Sequence, residues 1–296
     1  MAEAADAVET VRASANHAAR RIVFQGQPGA YSHLACRQVC PHLEAVPAES
    51  FEEAFAAVRE GKAERAMIPI ENSVAGRVAD IHHLMPHAGL KIIGEHFQRV
   101  NHHLLAVPGA RLEDIKAVHS HVHALNQCRR LLGELGLKPK VHADTAGAAA
   151  EVAAAGRLDQ GAIASRLAAE IYGLEILRSD LEDAEHNTTR FIILAREARE
   201  PPPYEGPVIT SFLFRVRNVP AALYKALGGF ATTGVNMIKL ESYVDARFSQ
   251  AQFYAEVLGH PEQDALKHAF EELAFFSHEV EQLGVYPADP FRFRDA

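Results

Sequence analysis

Arg196-Glu197-Ala198-Arg199-Glu200-Pro201-Pro202-Pro203-Tyr204-Glu205-Gly206 divides the 296-residue chain into two parts with different rhythms. Three consecutive prolines in a charged stretch supply no amide donors and resist helix, so the segment reads as a semi-rigid linker. Before it, short apolar runs at 21–24, 66–70, 90–94, 102–107, 117–119, 141–143, 161–164 and 189–195 alternate with helical patterns. Such alternation predicts an α/β unit with mainly parallel sheets. Beyond it the order is strand (208–216), helix (220–230), strands (237–244 and 250–258), helix (261–275) and strand (278–286). That is βαββαβ, a ferredoxin-like module.

Local signals support these spans. Ser50 followed by Glu53 makes a capping box, and Phe51, Ala54, Phe55 and Val58 form one buried helix face. Leu125, Cys128, Leu131, Leu132 and Leu135 predict one helix from about Ala124, and Asp144 caps the alanine-rich helix that follows it. Pro69 predicts an edge or terminal place for the strand at 66–70.

With 48% hydrophobic and 23% charged residues, each part can bury a core. A net charge of −8 without a dense Lys/Arg run argues against nucleic acid but leaves room for a small anionic substrate. Cys36, Cys40 and Cys128 give no disulfide framework, which points to a reducing cytoplasm. Residues 1–20 lack an apolar signal-peptide core and read as a frayed leader. No stretch approaches 18 apolar residues, so no membrane span is expected.

In open α/β sheets, ligands bind beyond the carboxyl ends of strands. The segments there are Gly26 to Ser32, Glu71-Asn72-Ser73-Val74-Ala75-Gly76, Ser120 to Cys128, Asp144-Thr145-Ala146 and Ser165-Arg166. Asn187-Thr188-Thr189-Arg190 instead stands at the start of its strand. These segments are rich in hydroxyls and amides and poor in carboxylates. They suit anion recognition by neutral donors and one or two arginines, not a metal cage or a paired-carboxylate mechanism.

Plainer readings account for other features. His119, His121 and His123 alternate, yet Ser120 ends their strand. Cys36 and Cys40 read as buried small hydrophobes, and Cys128 as core. The pairs His82-His83 and His102-His103 read as surface or satisfied core groups. Gly26-x-x-Gly29 lacks the third glycine of a dinucleotide turn. Ser120 and Ser165 suit helix caps, Asn72 a turn, and Thr188 and Thr189 are ordinary strand formers.

As an ordered set over 21–287, these segments resemble prephenate dehydratase with a C-terminal ACT regulatory domain. The matching elements are Gly26 to Ser32, Glu71-Asn72-Ser73 with Gly76, Ser120 to Cys128 and Thr189-Arg190-Phe191. Val122 and His123 stand where the family has Pro and Gln. The resemblance implies a two-lobed catalytic domain like a type-2 periplasmic binding protein at 21–195. Lobe one would be 21–96 with 178–195, and lobe two 97–177. The linker would be 196–206, the ACT domain 207–287 and a tail 288–296.

The reaction implied turns prephenate into phenylpyruvate, water and carbon dioxide in phenylalanine biosynthesis. Aromatisation drives it, so neither redox cofactor nor metal is expected. The resemblance assigns Thr189 to the leaving hydroxyl, orienting or relaying a proton, and Arg190 or backbone amides to the side-chain carboxylate. The loops and the resemblance together give Tyr31, Ser32, Asn72, Ser73, Ser120, Gln127, Thr145, Ser165 and Phe191 as substrate-binding. Arogenate dehydratase, or a sensor without catalysis, are the alternatives.

The ACT resemblance implies phenylalanine as effector and a homodimer or homotetramer, with Ala222, Leu223, Asn236, Glu241 and Ser242 as effector-binding. Two motifs depart from the pattern. Ala221-Ala222-Leu223 replaces Gly-Ala-Leu, and Glu241-Ser242-Tyr243-Val244 replaces Glu-Ser-Arg-Pro.

Overall fold

A computed structural model describes residues 20–184, 186–244 and 251–294. The strands begin with β1 (Arg21–Gln25), β2 (Glu44–Ala48), β3 (Arg65–Asn72), β4 (Gly76–Arg77) and β5 (Lys91–Arg99). Next come β6 (His103–Ala106), β7 (Ala117–His121), β8 (Lys138–His142), β9 (Gln160–Ala164) and β10 (Glu175–Arg178). The last are β11 (Thr188–Ala195), β12 (Val208–Val216), β13 (Met237–Val244), β14 (Ala251–Leu258) and β15 (Ser277–Pro287). The helices are α1 (Tyr31–Val39), α2 (Phe51–Arg59), α3 (Ala79–Leu84), α4 (Val122–Gln127) and α5 (Arg129–Glu134), then α6 (Thr145–Ala155), α7 (Arg166–Tyr172), α8 (Ala222–Thr232) and α9 (Asp264–Phe276).

Three sheets result. The first has the order β2-β1-β3-β11-β5, with β4 beside β3. The second runs β10-β6-β9-β7-β8, with β7 parallel to β8 and β9. The third is β13-β14-β12-β15, with antiparallel neighbours. The predicted βαββαβ order is therefore present, as strands β12 to β15 with α8 and α9.

Packing separates two compact units. One holds the described residues up to Val78 and His96–Phe191; the other holds Ala79–Glu95 and the described residues from Ile192. The division does not fall at the proline linker. Contacts within the second unit explain why residues before His96 belong to it. Lys91 Nζ donates to the Gln282 carbonyl at 2.8 Å. Gly284 lies so close to Ile92 that a side chain there would overlap the Ile92 carbonyl oxygen. Glu95, whose carboxylate is fully buried, accepts from Arg292 Nε at 2.7 Å, Arg292 Nη2 at 2.8 Å and the Asp289 amide at 2.9 Å.

Within the first unit, a seam joins elements of the first two sheets. Ser165 caps α7 by accepting from the Ala168 amide and donates its own proton to the Gly29 carbonyl at 2.5 Å. Tyr172 donates to the Pro28 carbonyl at 2.7 Å. Gly29 has φ +94°, and a Cβ there would stand 2.8 Å from Ala168 Cα, so this position requires glycine.

Three expectations are corrected. Pro69 lies in β3, an interior strand. It is tolerated because pairing with β1 ends at Met67, before the missing amide is needed. One edge strand is β2, which sequence reading did not anticipate and which carries its own Pro47. The helix expected from Ala124 is two helices, α4 and α5, broken at the fully buried Cys128 (φ −123°, ψ 27°). The Ser50 cap forms, but Glu53 reaches back to the Glu49 amide rather than to Ser50.

Removing Arg292 would strand a charged carboxylate in the interior. Arg292→Ala should lower stability by about 3–5 kcal/mol. A urea midpoint unchanged from wild type would contradict this account of the second unit.

Candidate active site

Four side chains connect Thr189 to Tyr31, and a backbone turn orients the first of them. Asn72 ends β3, and its Oδ1 accepts from the amides of Val74 (3.0 Å) and Ala75 (2.8 Å) in the turn to β4. Only an oxygen can face two N–H donors, so the Asn72 amide has one permitted orientation. Its Nδ2 must then donate, to Asn187 Oδ1 at 2.8 Å and Thr189 Oγ1 at 2.9 Å. Asn187 is oriented in turn and donates through Nδ2 to Gln127 Oε1 at 2.7 Å. That same oxygen lies 2.9 Å from His102 Nε2. An oxygen cannot donate here, so Nε2 carries a proton. His102 Nδ1 lies 3.0 Å from the Tyr31 hydroxyl, whose oxygen also lies 2.6 Å from the Asn101 carbonyl, so two acceptors face its single proton.

The electrostatics agree with this polarity. Burial holds the His102 pKa below its ordinary value, against opposing effects from Gln127 and Glu182, so the ring is neutral at pH 7. With Nε2 protonated, Nδ1 offers a lone pair. Burial, then Glu182, raises the Tyr31 pKa well above its usual range, so the phenol keeps its proton. Glu182 also accepts from the His102 amide at 2.9 Å and from Asn101 Nδ2 at 2.9 Å. The line from Asn72 to Tyr31 therefore runs through neutral side chains, with Gln127 Oε1 accepting from both sides.

The other branch from Asn72 ends at Thr189. Because Oγ1 accepts from Asn72, the hydroxyl proton is left to point elsewhere, and it has no acceptor among the described residues. Accepting a hydrogen bond also makes a hydroxyl a better donor. Ser73 steadies this strand start: its Oγ donates to the His186 carbonyl at 2.5 Å and accepts from the Thr188 amide at 2.9 Å.

The residues expected from sequence separate into groups. Tyr31, Asn72, Gln127 and Thr189 meet in one network, and Ser73 stands beside it. Arg190 does not join them. Successive strand residues face opposite ways, and Arg190 lies 2% exposed, paired with Glu71 at 3.0 Å and 6.0 Å from the Phe97 ring centroid. Its charge is spent on Glu71, which corrects the expectation that it anchors a carboxylate. Phe191 is 1% exposed and belongs to the core, so the expected substrate contact is absent. Ser120 is fully buried and donates to the Ile163 carbonyl, another internal role. Ser165 holds the seam. Ser32 is buried in the first turn of α1, and Thr145 is half-buried at the start of α6, beyond the Asp144 cap.

His102 and Asn187 are the members that sequence reading missed. Asn187 stood in the polar run before β11, but nothing local distinguished it. His102 was set aside with His103 as an adjacent pair. Of the alternating histidines, His119 meets Gln160 and lies 3.9 Å from Glu151, while His121 accepts from the His123 amide. Burial, followed by Asp183 and Glu182, pushes the Cys128 thiol up to about 12, as suits a core group.

Comparison with known proteins places this geometry. Residues 22–199 match the family model described as prephenate dehydratase. A Komagataeibacter europaeus protein named bifunctional N-acyl-homoserine lactone acylase/prephenate dehydratase is 57% identical over 275 residues, covering 92% of this chain and 98% of that protein. Arogenate dehydratase/prephenate dehydratase 1 of Arabidopsis thaliana, a chloroplastic protein, is 41% identical over 287 residues, covering 92% and 73%. The crystal structure of the Arthrobacter aurescens prephenate dehydratase in complex with L-Phe superposes with a TM-score of 0.83 at 30% identity, covering 90% and 89%. The chain belongs to the prephenate dehydratase family and is an enzyme, a carbon–oxygen lyase. Among the described residues, no helix is long and apolar enough to cross a membrane.

Burial gives the fold a pH dependence. It is the largest cause lowering the pKa of His33, His102, His103, His119 and His121. A histidine whose folded pKa is depressed leaves stability untouched above the unfolded value of about 6.5. Below it the unfolded chain takes up protons that the folded chain refuses, and stability falls. Urea midpoints should therefore drop between pH 7.5 and pH 5.5. A midpoint that rose over that interval would contradict the burial of these rings.

Proposed function

We propose that the chain converts prephenate into phenylpyruvate, water and carbon dioxide, as a step of phenylalanine biosynthesis. The observation that carries this reading is the unclaimed proton of Thr189, oriented by Asn72. As the bond between the ring and its carboxylate breaks, its electron pair moves through the ring and expels the hydroxyl at the far side. The hydroxyl leaves as water on taking up one proton from solvent. Thr189 donates a hydrogen bond to that oxygen as charge develops on it. The ring carboxylate needs little anchoring, because holding its charge would stabilise the ground state.

Thr189→Ala should reduce kcat by about 10²–10³-fold, the usual cost of one donor to a developing oxyanion, with an unchanged circular dichroism spectrum. Thr189→Ser should recover much of the loss. Near-normal phenylpyruvate formation by the alanine variant would reject the assignment. Arogenate in a parallel assay tests the amino analogue, which the Arabidopsis relative's name includes.

The βαββαβ module is read as an ACT regulatory domain for phenylalanine, on the strength of its topology and the L-Phe complex of a relative. A cavity of about 300 Å³ in this unit is lined by Ala222 and Leu223 among others. The other expected effector residues lie apart from that lining: Glu241 pairs with Lys239 at 2.7 Å, Ser242 is exposed, and the Asn236 carbonyl accepts from Leu258. Ala221, in place of the family's glycine, adopts φ 60°, a conformation that costs a side-chain-bearing residue about 1 kcal/mol. Phenylalanine should slow turnover of prephenate saturably; a flat titration would remove this reading. A homodimer or homotetramer is the assembly proposed with it.

A second reading rests on the 57% identical Komagataeibacter relative, whose name pairs dehydratase with acylase activity. Release of a free amine from an N-acyl-homoserine lactone would support amide hydrolysis by this chain as well. No release would leave the dehydratase reading alone.

A further inference from the structure

A cavity of about 500 Å³ lies in the first unit between α1, residues 98–103 and α7. It is separate from the Thr189 network. Asn72, Gln127, Asn187 and Thr189 are not among its lining residues. The 101–103 segment divides the two: Asn101 and His103 line the cavity, whereas the ring of His102 joins the network. Only Tyr31 belongs to both.

Three guanidinium groups face this space, from Arg37 on α1, Arg99 on β5 and Arg166 on α7. One carboxylate, Glu170, accompanies them, and it makes a long pair of 3.7 Å with Arg37. Arg99 and Arg166 have no ion-pair partner among the described residues. The lining thus carries three cations to one carboxylate in a chain of net charge −8, with Asp180 and Glu182 behind it on the Asn101 side chain. His103 adds a second, independent sign. It lines the cavity at 4% exposure, and its Nδ1 has no hydrogen-bond partner. Burial and then Arg166 hold its pKa low, against Asp180 and Glu182. Buried polar atoms without partners are rare and call for an explanation. Arginine is the side chain suited to carboxylate and phosphate groups, through two parallel N–H bonds.

We propose that this cavity is a second ligand site, distinct from the Thr189 site, which takes a compact organic anion of two or three charges, a polycarboxylate or a phosphate ester. Because α1 and α7 belong to opposite sides of the seam, the bound anion bridges them.

Isothermal titration of the full chain at low salt, with citrate and with pyrophosphate as probes, tests this. The expected result is saturable binding of at least one probe, one per chain, weakened by added salt. Arg99→Gln and Arg166→Gln should each weaken it by about tenfold or more. Both side chains are exposed, and thermal melts establish that the variants fold. Thr189→Ala should bind as wild type. Citrate against pyrophosphate distinguishes a carboxylate ligand from a phosphate ligand. No saturation by either probe up to on the order of 10 mM would overturn the proposal. So would equal binding by the glutamine variants, or loss of binding in Thr189→Ala, which would put the anion in the Thr189 site.

Discussion

The site depends on one oxygen atom. Asn72 Oδ1 faces two backbone amides in the turn between β3 and β4, and this removes the ambiguity that side-chain amides otherwise carry. Every later direction follows from it: Asn187, then Gln127, then the proton on His102, and on the other branch the acceptor role of Thr189. The backbone of a tight turn thereby decides what the Thr189 hydroxyl accepts. Within this network of neutral groups, each amide is held in one orientation by the neighbour before it.

The distance along the chain explains what sequence reading captured and what it did not. The alternation of strands and helices and the βαββαβ order rest on local patterns, and they appear as expected. Asn72 and Thr189 stand in an ordered set of motifs, so they were legible as candidates. Their relation was not, since 117 residues separate them and only the pairing order β3-β11 brings them together. Arg190 illustrates the opposite failure. It sits beside Thr189 in sequence and so appeared to share its task, but strand alternation turns it to Glu71. His102 was overlooked because adjacent histidines say nothing about which neighbour each will meet. Pro69 misled because a proline reports a missing donor, while the register with β1 determines whether that donor was wanted.

The second unit has its own anchor in Glu95, which accepts three hydrogen bonds from residues near the end of the described chain. This ties a segment from the middle of the sequence into the same packing unit as the βαββαβ module. The linker prolines thus mark a change of composition more faithfully than a boundary of packing. In that module, Ala221 holds a backbone conformation suited to glycine. The turn survives the substitution because the sheet and helix on either side specify it.

The seam at Pro28, Gly29, Ser165 and Tyr172 is held by two hydrogen bonds between neutral groups. Such bonds contribute about 1 kcal/mol each in net terms. Two together amount to a bias of roughly thirtyfold. Neither bond uses a charge, so the seam holds equally in dilute buffer and in concentrated salt.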